Sequence, residues 1–165
     1  MKKFATVFPA ILFLSLLCCC SLNKVDGTHR YILFDNTSEY YLYVCPFRMK
    51  YGDCDTLDRN YSAFGQEKYR VPPGTSNTAA LRLYRGNTYE STMRHYDYLS
   101  VFIWNKDNVS EINGAYFGSI IARYDLTLDN LFLLDWEISF PPDERMKDIH
   151  MYPPYQEIIE RYGNN

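Results

Sequence analysis

The stretch YLSVFIWN, residues 98–105, decides the fold class. Leu99, Val101 and Ile103 alternate with Ser100, Phe102 and Trp104, so a strand of period two puts the first set on one face and the second on the other. Both faces are largely apolar, the pattern of a central strand covered on each side. Downstream, DWEISFPP (135–142) alternates Trp136, Ile138 and Phe140 with Glu137 and Ser139, a half-buried strand stopped by Pro141 and Pro142. Upstream, YILF (31–34) and EYYLYVC (39–45) are short apolar and aromatic runs on either side of a polar turn segment, which predicts a hairpin. Residues 46–66, rich in Gly, Asp, Asn and Tyr, predict a long loop. Pro72-Pro73-Gly74 then turns the chain into a strand over 79–85, with Leu81 and Leu83 on one face.

Helices are few. Thr127 is placed to cap LDNLFLL, with Asp129 in the first turn and Leu128, Leu131 and Phe132 on one face. After Pro153-Pro154, Tyr155, Ile158, Ile159 and Tyr162 recur at helical spacing. Glu157 stands four residues before Arg161, and Gly163 is at the C-cap. The whole predicts a mainly β, β-sandwich-like single domain over residues 29–165, with short helices near its C-terminal end.

The first nineteen residues are set apart from this domain. Lys2 and Lys3 precede a short apolar run from Phe4 to Leu17 that contains Pro9, too short for a membrane span of roughly 20 residues. This is the pattern of an export signal. The run ends in Cys18-Cys19-Cys20, and Leu17 stands three residues before Cys20 in a degenerate version of a lipobox. Cys20 is the expected acyl acceptor, with Ser21 behind it. Cys19 is the alternative register, and an ordinary signal peptide cut after Cys20 is the alternative to both. Residues 20–28 then form a tether. Removal of residues 1–19 takes away Lys2 and Lys3 and leaves 146 residues with 15 basic and 20 acidic side chains, a formal charge of −5. Such a chain, without a Lys/Arg stripe, makes a poor partner for nucleic acid.

Cys45 and Cys54 remain, and in an exported protein an even pair around a turn-like segment predicts a disulfide. Two free thiols are the alternative. A catalytic thiolate would need a nearby base.

The block RYDLTL (123–128), Trp136, Pro141-Pro142 and MYPPY (151–155) resembles the C-terminal half of small lipoproteins from Bacteroides-type bacteria. The likeness covers roughly residues 98–155, and the front half only at FDNTSEYYLYV. It implies lineage and anchoring, not a chemistry. In such bacteria Asp55-Thr56-Leu57 looks like an O-glycosylation motif with Thr56 as acceptor. A cluster of acids after the lipidated Cys marks surface-exposed lipoproteins, and the stretch after Cys20 carries only Asp26 behind Lys24. The expected place is therefore the outer membrane, with the acyl chains in the bilayer and the domain on the periplasmic side; the cell surface is the alternative.

No catalytic or cofactor motif is apparent. Asp53, Asp55 and Asp58 begin like a calcium loop, but Leu57, Asp58 and Phe64 occupy positions the pattern reserves for ligands and glycine. His29, His95 and His150 lack metal-ligand spacing. Tyr124, Asp125 and Trp136 suit sugar binding by type, yet a scaffold explains them: Asp125 or Thr127 capping the helix, the two aromatics filling the core. Glu111, Glu137, Glu144, Glu157 and Glu160 offer carboxylates for a glycan hydrolase, unpaired by any sequence feature. Sixteen tyrosines favour a recognition surface, since Tyr gives contact area at low entropy cost. The expectation is a non-enzymatic binding or accessory module with an envelope protein or glycan partner; an envelope or glycan hydrolase is the alternative.

Overall fold

The computed structural model of the chain describes residues 28–49, 67–83, 86–112 and 115–163. Eight strands form two sheets. The larger contains β2 (Leu42–Met49), β3 (Arg70–Val71), β5 (Tyr98–Ile112), β6 (Ala115–Leu126) and β8 (His150–Tyr152), in the order β3-β2-β5-β6-β8 with every neighbour antiparallel. The smaller contains β1 (Leu33–Asn36), β4 (Thr75–Asn77) and β7 (Glu137–Phe140). Here β1 lies in the middle, antiparallel to β4 and parallel to β7. The fold is mainly β, as expected.

β5 is the predicted central strand, and its two faces enter different clusters. Leu99, Val101 and Ile103 join Leu42, Val44, Tyr124 and Leu126 of the large sheet and Ile32, Phe34, Ile138 and Phe140 of the small-sheet side in one core, a sandwich-like arrangement. Phe102 and Trp104, both buried, pack with Cys45 on the opposite face. Fully burying a side chain of this size stabilises the fold by about 1.5–3 kcal/mol, so neither face tolerates a charge.

Among the described residues, three α-helices close the core. α1 (Tyr89–Met93), which the sequence did not indicate, contributes Tyr89 and Met93. α2 (Leu128–Leu133) contributes Leu131, and α3 (Tyr155–Tyr162) contributes Ile158. Thr127 caps α2 as expected, within a reciprocal box in which Asn130 returns the bond. Phe132, assigned to the buried face, is 41% exposed.

The predicted hairpin of residues 31–45 is not formed. β1 and β2 belong to different sheets, because the Asn36 side chain holds the chain in a crossing between them rather than in a return turn. Fully buried, its Nδ2 lies 2.8 Å from the Tyr40 carbonyl and 3.0 Å from those of Val71 and Pro72. Its Oδ1 accepts from the Ser38 N–H at 3.1 Å and the Ser38 hydroxyl at 2.7 Å. Of the strand predicted over 79–85, the described residues 79–83 show a bridge between Arg82 and Tyr31. β2 runs to Met49, so residues 46–49, expected in a loop, are strand, and the rest of that expected loop lies outside the described residues. Ser139, expected on the open face of β7, is buried because the Asp143 N–H folds back to its hydroxyl at 3.1 Å.

Asn36→Ala removes a donor from the carbonyls of Tyr40, Val71 and Pro72, in two segments of the chain, and should destabilise the fold by about 3 kcal/mol. Thr127→Ala removes one exposed cap and should cost about 1 kcal/mol. Chemical unfolding of the two variants checks the order, which reverses if Asn36 is not the hub.

Candidate functional site

Two polar constellations compete as sites. The first lies on the second face of the large sheet. Ser100, Asp125 and His150 stand opposite one another on β5, β6 and β8. The Ser100 hydroxyl donates to Asp125 Oδ1 at 2.5 Å, while Arg123 Nη2 and His150 Nδ1 each lie 2.8 Å from Oδ2. In the next row Arg123 faces Tyr152, its guanidinium 4.4 Å above the ring. Asp125 therefore does not cap α2; Thr127 alone does. The residue types are those of a nucleophilic triad, but the order is not. In a triad His stands between Ser and the carboxylate, whereas here the carboxylate stands between Ser and His. Ser100 is also fully buried. The cluster neutralises a buried Arg–Asp pair and presents no nucleophile.

Tyr124, between these residues in sequence, points to the opposite face, where its hydroxyl donates to the Ser139 carbonyl at 3.1 Å. Burial pushes its pKa well above the ordinary value. It is scaffold, as expected. Cys45 carries a free, buried thiol, and its expected disulfide partner Cys54 lies outside the described residues. Burial raises the Cys45 pKa to about 12 against the opposing pull of Lys68 and Tyr69, so it is a poor nucleophile. Cys19, Cys20, Thr56 and the Asp53–Asp58 loop also lie outside the described residues. Among the described residues, no group of three His, Cys, Asp or Glu side chains is arranged to hold a metal, and no helix is long and apolar enough to cross a membrane.

The second constellation is a cleft of about 620 Å³ at the start of β1. That volume falls within the roughly 300–1,000 Å³ of small-ligand sites. Arg30, Tyr31 and Leu33 come from the strand leading into β1, Arg82 from the bridge beside it, and Asp135, Trp136 and Glu137 from the turn between α2 and β7. Tyr31 is 52% exposed.

The turn explains how the wall is held. The Trp136 N–H donates to the Leu131 carbonyl at 3.0 Å and the Asp135 N–H to that of Phe132 at 3.3 Å, the two bonds of a Schellman motif. That motif wants a left-handed residue after the C-cap, usually Gly. Here Asp135 takes φ 52° and Trp136 follows at φ 62°. A left-handed backbone costs roughly 1–2 kcal/mol in a residue with a Cβ. The surroundings impose it on Trp136: His29 stacks on its ring at 4.0 Å, Phe132 meets it edge-on at 5.4 Å, and the Leu33 N–H donates to its carbonyl at 2.9 Å. Strain of this kind persists only where the structure over-determines it, and it gathers at ligand sites.

His29 is itself fixed. Its Nδ1 lies 2.6 Å from Glu90 Oε1, and its carbonyl accepts from the Tyr89 N–H at 2.8 Å. Burial pushes the Glu90 carboxyl up, but hydrogen bonds from the His29 ring and from the backbone, with the charge of His29, outweigh it and hold the group below its ordinary 4.5.

Of the carboxylates noted in the sequence, Glu137 reaches this cleft, while Glu144, Glu157 and Glu160 pair locally with Lys147, Arg161 and Gln156. Sequence reasoning missed Arg30, Tyr31, Arg82 and Asp135. Only the capped run before Asp135 hinted at a helix end there. No family model, curated protein or solved structure matches the chain.

Replacing Asp135 by Gly removes the Cβ from a left-handed position and should stabilise the fold by about 0.5–1 kcal/mol, measured by chemical unfolding. A carboxyl held below its ordinary value adds stability that is complete above about pH 4.5 and is lost as the pH falls through the folded value. Glu90→Gln should therefore flatten the acid limb of the stability profile between about pH 5 and pH 3, leaving a steeper limb in the parent protein.

Proposed function

We propose that the protein is a lipid-anchored lipoprotein of the cell envelope, exported by residues 1–19 and acylated at Cys20. Its β-rich portion acts as a non-enzymatic binding or accessory module, and the cleft beside Trp136 is where it binds. The cleft carries this proposal: strained backbone is held rigid at its wall, charged side chains of both signs converge on it, and no nucleophile–base pair lines it. The likeness of residues 98–155 to small Bacteroides-type lipoproteins supports the anchor. Thr28, which lines the cleft, follows Cys20 by eight residues, a reach of at most about 26–29 Å. A domain held that close works on partners at or near the bilayer, and a tether whose one acid, Asp26, is matched by Lys24 favours the periplasmic side.

A glycan hydrolase is the second reading, favoured by the presence of Asp135 and Glu137 in one cleft. Both are solvent-exposed, whereas the acid of such a pair is kept neutral by a dry pocket.

Mass spectrometry of the protein from its native membrane should find an N-terminal peptide beginning at acylated Cys20 and a glycan on Thr56. A free N-terminus at Ser21 would remove the anchor. Protease treatment of intact cells should spare the domain, and its loss while a periplasmic control survives would place it at the surface.

A further inference from the structure

The geometry points to a ligand class for this cleft: a neutral saccharide, bound with a ring face over Tyr31 and its hydroxyls between the arginine and carboxylate rims. This rests on the cleft being a binding site and adds what it binds. Arg30 and Arg82 are balanced by Asp135 and Glu137. A phosphate or polyanion would meet two carboxylates, a polycation would meet two guanidinium groups, and an apolar ligand would desolvate all four without return.

A saccharide hydroxyl both donates and accepts. Adjacent hydroxyls therefore satisfy a guanidinium fork and a carboxylate at once, which no one-signed ligand does. Half-exposed Tyr31, whose backbone is bridged to that of Arg82, offers in its ring the apolar surface that a sugar's C–H face needs, with little entropy to lose. His29 contributes a fixed acceptor or donor: with Nδ1 committed to Glu90, Nε2 is the ring atom left for a ligand. The hydrogen-bonded Asp135–Trp136 turn fixes the backbone that carries one carboxylate before binding, which limits the ordering cost. A free sugar and one displayed on a lipid in the same membrane offer the cleft the same chemistry.

Isothermal titration of the full mature chain tests this with neutral gluco-, galacto- and manno-oligosaccharides, with their sulfated counterparts, and with zwitterionic dipeptides. Vesicles of phosphatidylethanolamine with and without a galactosyl lipid form a separate arm. A neutral sugar should bind, with Tyr31→Ala and Arg82→Ala each weakening it at least tenfold, while Leu133→Ala, outside the cleft, leaves affinity unchanged. Thermal unfolding checks that the variants fold. Retention by galactosyl vesicles alone would identify the lipid-borne source and agree with the proposal. Tyr31-dependent binding of sulfated sugars or dipeptides in preference to neutral sugars would overturn the ligand class but leave the cleft as a site. No binding by any neutral sugar, or sugar binding indifferent to both variants, overturns the proposal. Cleavage of a bound oligosaccharide, followed by chromatography, would keep the ligand class and overturn the non-enzymatic reading.

Discussion

The amide of Asn36 is the contact on which the two sheets depend. Its nitrogen faces carbonyls of the crossing segment and of the turn after β3, and its oxygen gathers Ser38. These groups lie at the last residue of β3, just beyond it at Pro72, and in the segment leading into β2. A buried carbonyl without a partner costs about 1–3 kcal/mol, so a single side chain offsets several such penalties at once. Because β1 pairs with β7 across a hundred residues of sequence, the crossing at Asn36 also decides which sheet each half of the chain joins.

This accounts for what the sequence made legible and what it did not. β5 was legible because its signal is local: alternation with apolar residues on both faces admits few other placements. The capped helix at Thr127 and the terminal helix at Tyr155 were legible for the same reason. The pairing of YILF was not. A run of four apolar residues fits an adjacent hairpin as well as a distant parallel strand, and nothing in NTSE says that its Asn turns inward. Asp125 shows the same limit. Its neighbours in sequence offered a cap, whereas its partners Ser100 and His150 are set by the register of three strands.

That register also gives the RYD and HMY segments a physical meaning. Arg123 and Asp125 on β6 lie beside Tyr152 and His150 on β8, so the two segments form one polar–aromatic layer behind the apolar core. A buried ion pair of this kind adds little net stability compared with apolar substitutes, but breaking one partner is severe. The pair lies within β6, and each member also reaches the edge strand: Asp125 meets His150 Nδ1 at 2.8 Å and Arg123 lies 4.4 Å over the Tyr152 ring, which holds β8 in register beside the buried Met151.

The cleft was the least legible feature because its wall obeys a rule through an unusual residue. Gly after a helix would have announced the turn; Asp-Trp does not. The choice has a physical consequence. Glycine would relieve the backbone but leave the wall bare, whereas Asp135 spends stability to place a carboxyl-bearing residue in the cleft that Arg30 and Arg82 also line. Trp136 goes further, holding a bulky side chain at positive φ only because His29, Phe132 and Leu33 fix it from several sides. His29 in turn is tied to Glu90 on α1, a helix whose other contacts serve the core. The strained wall is thus coupled to the folded core rather than left to a loose surface turn. A ligand in the cleft meets a surface whose ordering cost was met when the chain folded.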